Sequence, residues 1–442
     1  MQLSANLLLI GSIILSLNAC GELDTLPISA GMGSTPTLPT PKHNLIPTLK
    51  IAPAIGWPAG IVPATSQDIS VVAFASGLNH PRWLYVLPNG DVLVAETNAS
   101  PKQGNDKSIK GWIMRLMMKK AGASVLSANR ITLLRDANGD GNAEFRSIFL
   151  ENLKSPFGMA LIGNKLYVAN SNEILQFPYT TGDINIKSKG VQLLELPAGQ
   201  INHHWTKNLI ADVKGKNLYV TIGSNSNVGE NGIQVEAGRA AIWEVQVESG
   251  SHRIFASGLR NPNGLAWEPS NGTLYTVVNE RDELGNNLVP DYLTSVQDGG
   301  FYGWPYSYYG QNIDKRVKPQ NPEMVSKAII PDYALGAHTA SLGLTFSSSS
   351  KISKKFENGV FIGQHGSWNR DPISGYKVIF VPFVNGKPSG DPIDVLTGFI
   401  SKNGDAYGRP VGVTIDKKGA LLVADDVGNV VWHVASSKSS KF

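Results

Sequence analysis

One phrase recurs six times along the chain, and that recurrence limits the possible folds more than any other feature. A short apolar strand led by Gly or Pro is followed by a polar turn and a second strand of Leu-Tyr-Val type. The first copies are Pro81-Arg82-Trp83-Leu84 with Val92-Leu93-Val94, Pro156-Phe157-Gly158-Met159 with Leu166-Tyr167-Val168, and Lys207-Asn208-Leu209-Ile210 with Leu218-Tyr219-Val220. The others are Pro262-Asn263-Gly264-Leu265 with Leu274-Tyr275-Thr276, Leu342-Gly343-Leu344 with Val360-Phe361-Ile362, and Pro410-Val411-Gly412-Val413 with Leu421-Leu422-Val423. Successive second strands start 52 to 86 residues apart. A repeat of about 50 residues matches a four-stranded propeller blade, and the longer units carry inserted loops. Asn89-Gly90, Asn271-Gly272 and Lys418-Gly419 stand where hairpins need positive φ. The expectation is an all-β chain folded as a six-bladed β-propeller. A pair of β-sandwiches would leave six similar hairpins unexplained.

Composition agrees. Charged residues are 17% of the 442 and hydrophobic ones 42%, with 46 Gly and 26 Pro. That mix disfavours long charged helices, suits short strands and tight turns, and supplies a sizeable core. The net charge of +4 comes from 39 basic and 35 acidic residues with no dense Lys/Arg block, so nucleic acid is not an expected partner. A single cysteine excludes an internal disulfide framework and any multi-cysteine metal site.

That cysteine closes an N-terminal address. Leu7 to Leu17 reads LLLIGSIILSL, too short to span a bilayer but long enough for the core of an export signal, and it runs into Asn18-Ala19-Cys20. The pattern resembles a bacterial lipoprotein signal in which Cys20 is lipidated; an ordinary secretory signal is the alternative. The expected location is the periplasm, with the lipid on the outer membrane as the only membrane contact. Residues 21–66 hold eight prolines with few aromatics or charges, which reads as a semi-extended tether whose last part could pack as a strap. The propeller is expected from residue 67 to 442.

In a propeller, residues just before each first strand and just after each second strand meet at one end of the axis. Unit three opens with Asn202-His203-His204-Trp205, and a His there can serve as a general base because its pKa lies near neutrality. Unit four opens with Arg260-Asn261, a planar fork for a carboxylate or quinone oxygen beside a donor-acceptor amide, although Asn-Pro and Asn-Gly also suit plain turns. Its second strand runs into Asn279-Glu280-Arg281-Asp282-Glu283, rich in the hard oxygen donors that suit Ca²⁺, or else a solvated charged loop. His338, His365, Asn369, Arg370, Arg409 and Asp425-Asp426 occupy matching places in units four to six. Separately, Asp136, Asn138 and Asp140 carry oxygen donors at alternate positions. They form either a hairpin-borne structural Ca²⁺ site or an Asn-Gly/Asp-Gly turn; Ser147 at position twelve excludes a full EF-hand.

The ordered phrases His203-His204-Trp205-Thr206-Lys207-Asn208-Leu209, Arg260-Asn261-Pro262-Asn263-Gly264, Gly300-Phe301-Tyr302-Gly303-Trp304-Pro305, Gly366-Ser367-Trp368-Asn369-Arg370 and Gly408-Arg409-Pro410 resemble the sorbosone dehydrogenase family. That family is a branch of the soluble sugar dehydrogenases dependent on pyrroloquinoline quinone (PQQ), and the resemblance covers about residues 70 to 435. It implies PQQ and Ca²⁺ as cofactors, a sugar or sugar-derived aldehyde as substrate, and a quinone or cytochrome as electron acceptor. It implies His204 as general base, and Arg260, Asn261 and Arg409 as contacts of cofactor and substrate. The main-chain carbonyls of Arg281 and Asp282 are implied as calcium ligands. Where the glucose-oxidising branch has a cofactor-binding Lys, this chain has His365-Gly366-Ser367, so His365 or Arg370 is expected to take its place. A calcium-dependent propeller lactonase or esterase and a lipid-anchored binding propeller are the competing readings.

Overall fold

A computed structural model describes residues 26–42, 48–100 and 109–437, so Cys20 and the signal segment lie outside the described residues. Six four-stranded antiparallel sheets follow one another along the chain. Blade 1 comprises Pro81–Val86, Val92–Glu96, Arg130–Arg135 and Phe145–Leu150; blade 2 comprises Met159–Ile162, Lys165–Ala169, Glu173–Pro178 and Val191–Glu195. Blade 3 comprises Leu209–Ala211, Asn217–Ile222, Ala241–Gln246 and His252–Ser257. Blade 4 comprises Pro262–Trp267, Leu274–Val278, Pro290–Ser295 and Tyr333–Ala337, and blade 5 Ser341–Phe346, Gly359–Gln364, Lys377–Val384 and Ile393–Leu396. Blade 6 takes Pro410–Ile415, Leu421–Asp425 and Val430–Ser436 from the C-terminal end and its outermost strand, Ile69–Ser76, from the N-terminal side. The chain thereby clasps itself shut, and each first strand touches the first strand of the next blade around the axis. The six-bladed expectation holds.

The repeat pattern explains the packing. Second strands lie inside the blade stack with both faces covered, so Val92–Glu96, Leu274–Val278 and Leu421–Asp425 are buried at every residue. They read as continuous apolar runs rather than alternating ones. Four of the phrases carry a glycine, at 158, 264, 343 and 412, and these mark where neighbouring first strands meet. A Cβ on Gly343 would stand 2.2 Å from the Val411 carbonyl oxygen, and one on Gly158 would stand 2.3 Å from the Leu209 nitrogen. No side chain fits at either position.

Two features lie outside the repeat. Residues 97–129, between the second and third strands of blade 1, include a helix at Ile109–Lys120. Where the sequence suggests a tether, residues 26–42 and 48–66 instead run along the propeller. Met32–Gly33 adds a fifth strand to blade 4, and residues 50, 54 and 64 bridge to Asn369, Ala406 and Thr397. Ala52 and Trp57 supply the apolar surface that holds the later part down, packing into the core shared by blades 5 and 6.

Candidate active site

Strand direction assigns the two ends. The segments that open each first strand and follow each second strand share one end of the axis, and the hairpins at 87–91 and 416–420 share the other. Two polar clusters form at the first end.

The first cluster joins blades 3, 4 and 5. His204 Nδ1 lies 2.8 Å from the Ser224 carbonyl oxygen and 3.0 Å from its hydroxyl. A carbonyl only accepts, so Nδ1 carries the proton and the lone pair sits on Nε2. Burial, then the charges of Arg260, His203 and Lys207, push the His204 pKa well below its ordinary value, so the imidazole is neutral at pH 7. Its room is made by Gly223, where a Cβ would collide with His204 Cβ at 2.4 Å and Asn261 Oδ1 at 2.6 Å. Asn261 Oδ1 itself is buried without a hydrogen-bond partner.

Arg260 is buried, and all five of its N–H groups are engaged: by the Asn227 carbonyl and side chain, the Asn279 and Glu280 carbonyls, and Asp282. What it contributes is fixed positive charge, not a free fork. Asp282 also accepts from Asn369 Nδ2 at 2.8 Å and pairs with His338 Nδ1 at 3.3 Å. Burial alone would raise its pKa, but His338 and Arg260 outweigh that and hold it down at about 2. His338 Nε2 faces the Gly285 carbonyl at 3.1 Å, so both ring nitrogens have acceptor partners and the ring's pKa is held up despite burial.

The second cluster joins blades 1, 5 and 6 around Asp426. Its carboxylate takes Arg82 Nη1 at 2.7 Å, His365 Nε2 at 2.9 Å and His80 Nε2 at 3.4 Å. Burial opposes its charge, yet the two imidazoles and Arg82 keep it ionised. Burial pushes His365 down to about 4 against the pull of Asp426, leaving a neutral ring that donates Nε2–H. Arg409 adjoins the cluster, with its guanidinium over the Tyr376 ring at 4.9 Å and Nη2 on the Tyr376 hydroxyl at 3.1 Å. The clusters meet where Arg82 lies over the Trp205 ring, 5.7 Å from its centroid, next to His204. The Nε atoms of Arg82 and Arg409 and the Oδ1 of Asn369 are buried without partners, as is Asn261 Oδ1. Such groups are costly to bury unless something bonds them, and two guanidiniums among them select for an anion.

Most expected residues therefore converge: His204, Arg260, Asn261, Asp282, His365 and Arg409. Arg370 does not join them. It is fully buried with its guanidinium on the Asn286 and Pro372 carbonyls and Asn287 Oδ1, where it ties the blade 5 loop to the blade 4 loop. Arg281 is likewise internal, bonded to Glu280, Asp314 and the Pro305 and Ser307 carbonyls. Trp304, from the Gly-Phe-Tyr-Gly-Trp-Pro phrase, donates to the Asn227 carbonyl and backs Arg260.

The Asp282 carbonyl accepts from Asn227 Nδ2 at 3.3 Å and from Arg316 Nη1 at 2.9 Å. A guanidinium on that oxygen does not fit a Ca²⁺ ligand. The Asp136, Asp140 and Glu144 carboxylates do approach within 4.8 Å of one another, but at the opposite end of the propeller. There Asn138 bonds to Asp140, and Lys418 Nζ stands 3.3 Å from Asp136.

His80 and Arg82 were not legible as site residues. Their signal is positional, because His80 directly precedes the Pro81 that begins the first strand of blade 1, as Arg409 precedes Pro410 of blade 6, and Arg82 follows Pro81.

The fold and site define a class: a six-bladed propeller whose axial end gathers histidines and arginines from five blades. The chain belongs to the TrAA12-like family, whose sequence model matches residues 63–294 and 310–437. A Borreliella burgdorferi protein described as uncharacterized is 29% identical over 298 residues, 65% of this chain and 77% of that protein. A pyrroloquinoline quinone-dependent pyranose dehydrogenase of Coprinopsis cinerea is 25% identical over 222 residues, covering 41% of this chain but only 30% of that protein. The holo form of the Coprinopsis cinerea pyranose dehydrogenase PQQ domain shares the fold with a TM-score of 0.67 at 19% identity, over 87% of this chain and 100% of that one.

Proposed function

We propose that the chain is a PQQ-dependent dehydrogenase that oxidises an aldose or a sugar-derived aldehyde of the sorbosone kind, with His204 as general base. The observation that carries this reading is the His204 geometry. Its Nδ1 proton is spent on Ser224, its Nε2 lone pair is available, and burial among cations keeps it neutral. PQQ bears three carboxylates, and Arg82 and Arg409 would hold them through buried Nε–H donors, while the Asn261 and Asn369 Oδ1 atoms would accept from an N–H or hydroxyl of the cofactor or sugar. When bound, the quinone supplies the two-electron acceptor for hydride leaving the sugar carbon. His204 takes the hydroxyl proton at Nε2, and Ser224 keeps the imidazole from turning. Arg260 and His338 supply fixed positive charge that favours a developing oxyanion. No step is assigned to Ca²⁺, because Arg316 holds the Asp282 carbonyl.

The test is reconstitution of the protein with PQQ, with and without Ca²⁺, followed by dye reduction over aldoses, sorbosone and simple aldehydes. PQQ-dependent reduction supports the reading. His204→Ala is expected to lower kcat by about 10²- to 10⁴-fold with quinone affinity nearly unchanged. A fully active variant removes His204 from the mechanism. Hydrolysis of lactones or esters without reduction would favour the lactonase reading instead. For location, we infer lipidation at Cys20 and electron delivery to an exported or membrane quinone or cytochrome. Cys20→Ser is expected to move the protein from the membrane fraction to the soluble one, and an unchanged distribution overturns the anchor.

A further inference from the structure

We propose that the N-terminal strap, residues 48–66, is a working part of the quinone site, in which Trp57 positions Arg409 through Asp425. The inference rests on the reading of Arg409 as a quinone contact. Most of the strap precedes the stretch that matches the family, which begins at residue 63.

Trp57 is set deep in the propeller. Its ring packs edge-on against Phe399 and Trp432, at centroid distances of 5.3 and 5.1 Å, and tilts against Tyr407 at 5.5 Å. Its Nε1 donates to Asp425 Oδ2 at 2.7 Å, and Trp432 Nε1 reaches the same oxygen at 3.2 Å. The other oxygen, Oδ1, accepts the backbone N–H of Arg409 at 2.7 Å and of Gly428 at 2.8 Å. Asp425 is wholly buried, so its orientation is set by these four donors. The fit leaves no slack: a Cβ on Gly408 would stand 2.0 Å from Asp425 Oδ2, and one on Gly428 would stand 2.5 Å from it.

The strap also reaches the other support of Arg409. Ala52 of the strap lies in the same buried apolar core as Tyr376, whose hydroxyl accepts Arg409 Nη2 and donates to the Ser367 carbonyl. One face of the Arg409 placement is therefore fixed through Trp57 and Asp425, and the other through Ala52 and Tyr376. Backbone bonds anchor the strap on both sides, from Lys50 to Trp368 and from Ile55 to Ala406, with Ala406 returning one to Pro53. A guanidinium held this way is preorganised, so its ligand need not supply the ordering energy.

The test is Trp57→Phe, which keeps an aromatic ring but removes the N–H donor and part of the ring system. PQQ titration followed by absorbance is expected to show about tenfold weaker binding, and the lost bond and smaller ring lower the thermal midpoint of the quinone-free protein without unfolding it. Arg409→Lys should weaken binding similarly, and adding Trp57→Phe to it should cost little more, because both act through one group. Wild-type affinity in Trp57→Phe, or losses that multiply in the double variant, would overturn the proposal. A second readout needs no quinone: the Arg409 Nε–H NMR signal is expected to shift and exchange faster with water in Trp57→Phe. An unchanged signal would also overturn it. Failure of the wild-type protein to bind PQQ would sink the functional reading, while the Arg409 signal would still decide the role of the strap.

Discussion

Lys207 shows how far single side chains here depart from their solution chemistry. It is fully buried three residues after His204; among the described residues it has no carboxylate partner, and Nζ reaches the His204 carbonyl at 3.5 Å and the Trp205 carbonyl at 3.3 Å. Burial, helped by Arg239, lowers its pKa to about 7. The unfolded chain then holds this proton up to about pH 10.4 while the folded one releases it near 7. Stability from this group therefore rises between those values. Replacing it with methionine removes that dependence, so the wild type should gain on Lys207→Met between pH 7 and pH 10 in denaturant titrations. Parallel curves for the two proteins would mean that Lys207 is not buried as a titrating amine. The same scale contains the site's clearest sequence-legible residue, His204, and its clearest misreading, Arg370. Both are polar residues at a blade end, and only the direction of the side chain separates them.

At the scale of strands, adjacent blades share apolar side-chain cores, as Tyr275 and Val277 of blade 4 do with Phe346 and Val360 of blade 5, and their first strands also come into close backbone approach. Gly343 lies against the Val411 backbone, so Gly343→Ala must push blades 5 and 6 apart at their inner edges. The expected cost is about 3 kcal/mol or more in denaturant unfolding, as for overpacking that only backbone movement relieves. A cost below about 1 kcal/mol would mean that the inner strands slide freely. The same loops that position the site are tied across blades: Asn369 of blade 5 to Asp282 of blade 4, Arg82 of blade 1 to Asp426 of blade 6. Strain at the inner strands should therefore reach the site before the outer strands feel it.

Over the whole molecule, buried carboxylates of opposite tendency set the acid response. Asp425 is pushed up to about 6 by burial, so the folded state takes its proton first and stability rises as pH falls from about 6 towards 3.8. Asp282, held down at about 2, and Asp426, held lower still, work the other way. Their contribution is complete above 3.8 and is lost as pH falls below it. Neutral His365, held at about 4, loses stability as pH falls below 6.5, and Lys207 adds it above 7. The Asp425 contribution is therefore read as the stability difference between the wild type and Asp425→Asn, which is expected to grow as pH falls from about 6 towards 3.8, before the steep fall below 3.8. Asp426→Asn should blunt that fall, since it removes the charge on which Arg82, His80 and His365 converge. A difference between the wild type and Asp425→Asn that stays flat from about pH 6 to 3.8 would contradict the burial of Asp425.

What the sequence by itself determined is the periodic part. Six copies of a strand phrase are local patterns, readable because a strand covered on both faces must be apolar and a close approach of backbones must be glycine. They specified the blades, the second strands and the end of the axis where His204, Arg260, Asn261, His365 and Arg409 would meet. The tertiary structure alone decided what those residues do to one another. His80, Arg82, His365 and Asp426 are separated by up to 346 positions and become neighbours only because Ile69–Ser76 closes the ring beside Val430–Ser436. Packing of two blade 4 loops put Arg316 on the Asp282 carbonyl, and packing of the proline-rich strap set Trp57 on Asp425, which accepts the Arg409 backbone N–H. Charge partners, burial and lone-pair availability are properties of convergence, and no local pattern encodes them.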